Sequence, residues 1–364
     1  MNKRILIIGS TGKLGSELLK YSSKHELDIF ALCCFKNKNK LNLQKQKFKT
    51  KYNFVLSNLE DRNLFKNFLK TYKIKYIYFL DYSFKSLEFV DIILKYNFHS
   101  YLCIANKELI ICGGRTLINK IIKSKNYFFP LDSEHFSLLK LNFTNDNISN
   151  VYITASGGPF YTKKNINLNN VSLNNVLNHP KWDMGVNNTI DSSNFVNKFL
   201  EMIELSTIFD IKPSKIDFVV SPNTFIHSFI NFKDGTTSFN CFKNKMIIPL
   251  ISPLRSSYYL PSINNNSYVF ENDNFKIYKF SDKRFKIGKY LNFLKELSHS
   301  EIILFLILNN IAHKKYLSGN LKYNEIINFI INNLRKKRED KYLKTIYDII
   351  KYTNNLSDQL NNEL

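Results

Sequence analysis

Lys3-Arg4-Ile5-Leu6-Ile7-Ile8-Gly9-Ser10-Thr11-Gly12-Lys13-Leu14-Gly15 decides the fold class. Ile5 to Ile8 is an unbroken apolar run, as expected of a parallel strand buried on both faces. A glycine turn follows, then helical apolar spacing through Leu18, Leu19 and Tyr21. Strand, glycine turn and helix in that order are the context in which such a motif binds a dinucleotide. The glycines let the backbone approach a pyrophosphate, and the helix start offers unpaired N–H groups and a positive dipole end. A glycine turn required only for packing is the alternative.

The pattern repeats outward from there. Strand candidates lie at 29–34, 53–56, 76–80, 101–105 and 128–131, with helical spacing at 59–72, 87–96 and 109–124 between them. This alternation predicts an α/β chain that opens with a Rossmann-like, doubly wound parallel sheet over 1–131. The strand at 29–34 runs into Phe35-Lys36-Asn37-Lys38. An acidic residue there would suit NAD, whereas lysine suits a 2′-phosphate and so NADP. Lys36 is the expected contact, and the rest of the seven lysines from Lys36 to Lys51 read as a solvated loop. Ligands of such sheets sit beyond the C-terminal strand ends, where Ala105-Asn106-Lys107-Glu108 and Asp132-Ser133-Glu134 fall. A lysine buried beside carboxylates is costly unless it is paired or used.

Residues 132–262 mix strands (151–154, 218–220, 225–231, 238–242) with helices and read as a central α+β catalytic domain. Lys233-Asp234-Gly235-Thr236 reads as a hairpin turn. A polar linker over 263–285 leads to a helical C-terminal domain over 286–364, with helices at 291–297, 301–314, 323–335 and 341–352. Arg335-Lys336-Lys337-Arg338 fits a helix end, which favours cations, better than a nucleic-acid patch.

Apolar residues make up 44% and aromatics 15% of the 364 residues, which argues for a folded globular chain of two or three domains. The longest apolar run, Ile302 to Leu308, is too short to span a bilayer, so no membrane partner is expected. Five scattered cysteines and no targeting pattern point to a reduced cytoplasm. The net charge of +22 comes with enrichment in Asn, Ile, Phe and Tyr and scarcity of Gly, Pro and Ala. That joint shift fits codon drift in an AT-rich genome; a polyanion partner is the alternative, and nucleic acid is not the expected one.

Four short polar segments between Asp132 and Glu201 read as a metal and phosphate site. Asp132 and Glu134 point the same way only if the chain between them is extended, and Glu201 adds a third carboxylate. A hard cation such as Mg²⁺ or Mn²⁺ wants such ligands. Ser156, Ser192, Asn197 and Lys198 suit a phosphate, with Ser192 or Ser193 as N-cap of the following helix. On that helix Phe195, Val196, Phe199, Leu200, Met202 and Ile203 form one apolar face, and Asn197, Lys198, Glu201 and Glu204 lie opposite. An ordinary solvated face is the competing reading. Trp182 and Met184 suggest a lid, or simple packing.

Gly9–Gly15, Ala105–Glu108, Pro130–His135, Ser156–Phe160, His179–Gly185 and Asp191–Glu201 occur in an order that resembles the 1-deoxy-D-xylulose 5-phosphate reductoisomerase family. Pro222–Ser228, Asp234–Thr236 and Ser281–Phe285 extend the resemblance over nearly the whole chain. It implies a cytoplasmic homodimer that takes a sugar phosphate, NADPH and a divalent cation (Mg²⁺, Mn²⁺ or Co²⁺). It implies Asp132, Glu134 and Glu201 as metal ligands, with Lys107, Glu134 and His179 in the catalytic set. Lys107, Ser133, Ser156, His179, Trp182, Ser192, Asn197 and Lys198 would contact substrate, His179 and Trp182 from a closing flap. Gly9, Thr11, Gly12, Lys13, Leu14, Lys36, Asn37, Asn106, Glu108, Met184 and Gly185 would contact NADPH. The chain departs from the family pattern at Phe35 and Phe199, where glycine is usual, and at Val186 and Asn187, where basic residues are. Phe79–Ser83 replaces a Gly/Ala-rich segment, and Asn309-Asn310 an Asn-Glu pair.

Overall fold

The computed structural model describes residues 3–163, 165–178, 185–261, 275–281 and 283–364. Packing divides the chain into two compact units, one of residues 1–139 and 243–269, the other of 140–242 and 270–364. The segment 286–364 thus falls in the same unit as 140–242.

The first unit is built on six parallel strands: β1 (Ile5–Ile8), β2 (Ile29–Cys34), β3 (Tyr52–Val55), β4 (Tyr76–Phe79), β5 (Tyr101–Ile104) and β6 (Tyr127–Pro130). Their order is β3-β2-β1-β4-β5-β6, so the winding reverses between β1 and β4. β1 is fully buried, as its unbroken apolar run requires. Ile5, Ile7, Leu32, Cys34, Tyr76 and Tyr78 face a core with Leu18, Leu19 and Leu41 from two helices. Leu250, Ile251 and Leu254 complete that core, and the Leu250 carbonyl accepts from the Tyr78 hydroxyl at 2.8 Å. The helices Leu59–Thr71, Leu87–Tyr96 and Lys107–Lys123 pack on one another in sequence order, as the right-handed crossovers usual in such a sheet require.

One expectation fails here. Residues 38–48 form a helix, not a solvated loop. Asn37 caps it by accepting from the Lys40 N–H at 3.0 Å. Gln44, buried on its inner face, accepts from the Ser10 hydroxyl at 2.9 Å and donates to the Ser10 carbonyl at 2.8 Å. The lysines hid a cap followed by Leu41 and Gln44 on one side.

The second unit holds a mixed sheet of β7 (Ile148–Ala155), β8 (Ile216–Val220), β9 (Ile226–Phe232), β10 (Thr237–Cys241) and β11 (Tyr278–Lys279). The order is β10-β9-β7-β8-β11, with only β7 and β8 parallel. The expected hairpin joins β9 to β10, with Asp234 accepting from the Thr236 N–H at 2.9 Å. Helices Val186–Asn194 and Val196–Phe209 lead to the C-terminal set His299–Leu317, Ile326–Lys337 and Ile346–Glu363. The last begins later than the sequence spacing suggests, because Thr345 caps it by accepting from the Asp348 N–H at 3.1 Å. The basic run is used internally: Arg335 lies over the Phe293 ring, and Arg338 Nε is 2.6 Å from Glu301.

Candidate active site

At the end of β1 the chain turns through Gly9, whose φ is +89°. A Cβ there would lie 2.6 Å from the Asp81 backbone nitrogen, and one on Gly15 would lie 2.6 Å from the Gly9 carbonyl oxygen. Glycine is therefore required at both positions by the close approach of backbone, and the Gly9 and Ser10 N–H groups both donate to the Cys33 carbonyl, at 2.9 and 3.0 Å. Gly12 caps the helix Lys13–Ser22, so Lys13 and Leu14 occupy its first turn. Leu14 also packs on the core, and Lys13 is exposed. The Thr11 carbonyl accepts from Lys40 Nζ at 2.7 Å. A pocket of about 580 Å³ opens over this turn, lined among others by Gly9, Thr11, Gly12, Phe35, Lys36 and Asn37. Asn106 lies on the same unit; its side chain accepts from the Leu109 N–H at 2.9 Å and donates to the Ser83 carbonyl at 3.0 Å. Glu108, half-buried, lies in the first turn of the helix Lys107–Lys123.

Further along the sheet, Lys107 and Asp132 lie just beyond the ends of β5 and β6. Lys107 Nζ meets Asp132 Oδ2 at 2.7 Å, so the half-buried lysine is paired. The chain after Asp132 is not extended: a helix runs from Ser133 to Leu139. Asp132 acts at its start, accepting from the Glu134 N–H at 3.2 Å. The side chains of Ser133 and Glu134, both buried, hydrogen-bond each other. His135 Nδ1 lies 3.8 Å from Asp132 Oδ1. The two carboxylates thus share one helical turn, and its geometry rather than strand alternation sets their direction.

In the second unit β7 ends at a turn from Ser156. Gly157 and Gly158 have φ of +91° and +60°, and a Cβ on Gly158 would lie 3.0 Å from the Ser192 carbonyl oxygen. The turn therefore lies directly against the helix that carries Ser192. Arg284 Nη1 donates to the Lys163 carbonyl at 2.9 Å, and Nη2 to those of Phe160 and Tyr161 at 3.3 Å.

Ser192 and Ser193 do not cap the following helix. They lie in the last turn of Val186–Asn194, where Ser193 Oγ donates to the Ile190 carbonyl at 2.6 Å. Phe195, at φ 68°, makes the left-handed link and is itself the N-cap. Nor is the polar face of Val196–Phe209 solvated: Asn197 is 7% exposed, Lys198 8%, Glu201 3% and Glu204 1%. Lys198 Nζ meets Glu201 Oε2 at 2.6 Å, and the Asn197 amide donates to the other oxygen of Glu201. Asn197 Oδ1 has no hydrogen-bond partner among the described residues.

Sequence reasoning missed one set. Asp191 accepts from the Asn309 amide at 3.0 and 3.1 Å and lies 2.8 Å from His313 Nε2. The only local signal was that Asn309 and His313 are four apart, on one face of the helix His299–Leu317. His179, Trp182 and Met184 lie outside the described residues. Gly185 caps the helix Val186–Asn194 in the second unit, whereas the other expected cofactor contacts that are described lie in the first.

Residues 5–84 match the family model for 1-deoxy-D-xylulose 5-phosphate reductoisomerase, and 128–209 match the model for that enzyme's C-terminal domain. The chain is 30% identical over 358 residues to the 1-deoxy-D-xylulose 5-phosphate reductoisomerase of Pelagibacter ubique, covering 90% of each chain. It is 29% identical over 383 residues to that of Clostridium novyi, covering 96% of each. Among solved structures it resembles a DOX-P reductoisomerase in complex with NADPH, fosmidomycin and magnesium, with TM-score 0.85, 21% identity and coverage of 99% and 98%. The Zymomonas mobilis enzyme in complex with NADPH gives TM-score 0.82 at 18% identity, again over 99% and 98%.

Proposed function

The chain belongs to the 1-deoxy-D-xylulose 5-phosphate reductoisomerase family, and on that premise we infer how its residues serve the reaction. The reaction converts 1-deoxy-D-xylulose 5-phosphate to 2-C-methyl-D-erythritol 4-phosphate, in the non-mevalonate route to isoprenoid precursors. A carbon–carbon bond is broken and remade by retro-aldol and aldol steps, and the resulting aldehyde is reduced. NADPH supplies the hydride, and the cation supplies Lewis-acid polarisation of the substrate's carbonyl and hydroxyl oxygens.

The residues fit both groups. The start of the helix Lys13–Ser22, capped by Gly12 and opening on the pocket that Gly9, Thr11 and Gly12 line, suits a pyrophosphate. Lys36 and Asn37, lining the same pocket, suit the 2′-phosphate. Asp132, Glu134 and Glu201 are oxygen donors of the kind Mg²⁺ takes, and we assign them to it. Lys107, paired with Asp132, orients the reacting end of the substrate together with Ser133. Asn197 Oδ1 is free among the described residues to accept from a substrate hydroxyl, while Lys198, Ser156 and Ser192 hold the phosphate. His179, Trp182 and Met184 are assigned to a closing flap on the family pattern alone.

The observation that carries this reading is the dry polar face of Val196–Phe209. Burying a lysine, an asparagine and two glutamates on one helix face costs several kcal/mol that an ordinary packing helix has no reason to bear. We further propose a homodimer. Its support is the second face of the five-stranded sheet, where Tyr152, Phe229 and Phe239 stand opposite one another across β7, β9 and β10, with Phe239 42% exposed. The five cysteines, unpaired and four of them buried, support a reducing cytoplasmic setting. No described helix is long and apolar enough to cross a membrane.

The test is NADPH oxidation in the presence of 1-deoxy-D-xylulose 5-phosphate, before and after chelation and on adding Mg²⁺ back. Oxidation should vanish with the metal and return with it. A folded, NADPH-binding sample that shows no metal-dependent oxidation would sink the assignment.

A further inference from the structure

We propose that His313 and Tyr323 are positioning residues for the substrate's phosphate, because they fix from behind the helical turn that carries Ser192. This rests on the assignment of Ser192 to that phosphate above. Ser192 lies in the last turn of Val186–Asn194, between Asp191 and Ser193. The last carbonyls of a helix have no partner within it, so its last turn frays unless other groups hold it. Here those groups come from the C-terminal helices. His313 belongs to His299–Leu317, and Tyr323 to the short turn before Ile326–Lys337. Buried Asp191 accepts from the Asn309 amide at 3.0 and 3.1 Å and lies 2.8 Å from His313 Nε2. A carboxylate only accepts, so Nε2 carries the proton of that bond. Nδ1 of the same buried ring has no hydrogen-bond partner among the described residues. The imidazole is therefore committed to Asp191. One residue past Ser192, the Ser193 carbonyl accepts from the Tyr323 hydroxyl at 2.9 Å.

The opposite side is closed as well. The Gly158 turn approaches so near that a Cβ there would lie 3.0 Å from the Ser192 carbonyl oxygen. Ser156, whose Oγ accepts from the Gly158 N–H at 3.3 Å, belongs to that turn. Ser192 is thus fixed through the residue before it, the residue after it and the turn across from it. Stability alone does not account for the cluster. Apolar side chains of similar volume would hold the same two helices together at no cost in desolvation. A need for one exact placement of Ser192 does account for it. A displacement of about 1 Å in a substrate-positioning group can cost on the order of 100-fold. Such a group keeps its place only when the residues behind it are themselves locked. The left-handed link at Phe195 follows directly, and a strained link persists only where its surroundings over-determine it. Asn197 and Lys198 open the next helix from that link, so the same clamp sets their start.

The full chain is assayed for NADPH oxidation with 1-deoxy-D-xylulose 5-phosphate and Mg²⁺, with inorganic phosphate as the competing probe. The variants are Ser192→Ala, His313→Leu, His313→Gln and Tyr323→Phe, each checked for folding by circular dichroism. Leucine keeps bulk without a donor, whereas glutamine keeps an amide donor in place of Nε2. His313→Leu and Tyr323→Phe should raise KM and the phosphate inhibition constant together, by about tenfold, the factor carried by one lost hydrogen bond. Their kcat should stay within about twofold and their NADPH affinity unchanged, since a phosphate contact is made equally before and during the reaction. His313→Gln should bring both constants back toward wild type. If folded His313→Leu and Tyr323→Phe keep wild-type constants while Ser192→Ala raises both, the inference is overturned and the phosphate reading stands. The same holds if kcat, KM and NADPH affinity all decline together and His313→Gln rescues none of them, which marks a purely structural role. Should His313→Leu fail to fold, Tyr323→Phe, which removes a single oxygen, decides alone. A wild type insensitive to phosphate, with Ser192→Ala at the wild-type KM, overturns the phosphate reading and this inference with it.

Discussion

Glu201 has both carboxylate oxygens held by its own helix, one by the Asn197 amide and one by Lys198. Glu201→Gln keeps the shape but removes the charge of one proposed cation ligand, which also pairs with Lys198. Metal-dependent NADPH oxidation should fall by at least about 100-fold, since loss of even an outer-shell partner costs 10–100-fold. NADPH binding, measured by fluorescence, should be unchanged, because the residues proposed to line its pocket all belong to the first unit. Asp81 makes a separate claim about stability. Its carboxyl is near its ordinary value of 3.8 when unfolded and at about 7 when folded. Between those pH values the folded state holds a proton that the unfolded state has lost, so stability falls as pH rises through that window. The full loss is on the order of 4 kcal/mol at pH 8. Asp81→Asn should therefore raise stability at pH 8 in urea unfolding, with the gain closing as pH falls toward 4. An equal gain at both pH values would refute the assignment.

Among the elements, the link between the helices Val186–Asn194 and Val196–Phe209 shows how packing overrides local preference. Phe195 holds φ 68°, a conformation that costs a non-glycine residue about 1–2 kcal/mol. Its ring meets those of Phe280 and Phe285 at 4.7 Å and Phe218 at 5.7 Å. Removing such a ring costs about 3–5 kcal/mol, so the packing outweighs the strain. Phe195→Gly should destabilise by roughly 2 kcal/mol or more, seen as a lower denaturant midpoint at unchanged slope. A stabilised variant would mean that the strain is the larger quantity. Phe199, where the family has glycine, is accommodated in the same way: it is fully buried, edge-on to Phe305 at 4.9 Å. The Asp191 cluster ties this region to the helix His299–Leu317, through a carboxylate that one amide and one imidazole hold.

At the scale of the molecule, the net charge of +22 and the row Tyr152–Phe229–Phe239 invite different partners. The proposed homodimer predicts a light-scattering mass of twice the 42.9 kDa chain, and a shift toward monomer in Phe239→Lys. A monomeric wild type at assay concentration would reject it. Much of the first unit was legible in the sequence. Ile5–Ile8, Gly9 and Gly15 act through strand burial and backbone stereochemistry, which are local. The helix Lys38–Phe48 was not, because its few inward residues are diluted by lysine, and its anchor, Ser10 to Gln44, is a contact across 34 residues. The serine cap was misplaced because Ser192-Ser193 has the chemistry of a cap while Phe195 has the geometry. By itself the sequence determined the strand–helix alternation of a parallel sheet, the glycine turn and the lysine at the end of β2, since each depends on residues adjacent in the chain. Only the tertiary structure decided that Asn197, Lys198 and Glu201 are dry and that Asp191 belongs with His313. Burial is set by the segments that pack on a helix from elsewhere in the chain, and a helix's own spacing says which residues share a face but not whether water reaches it.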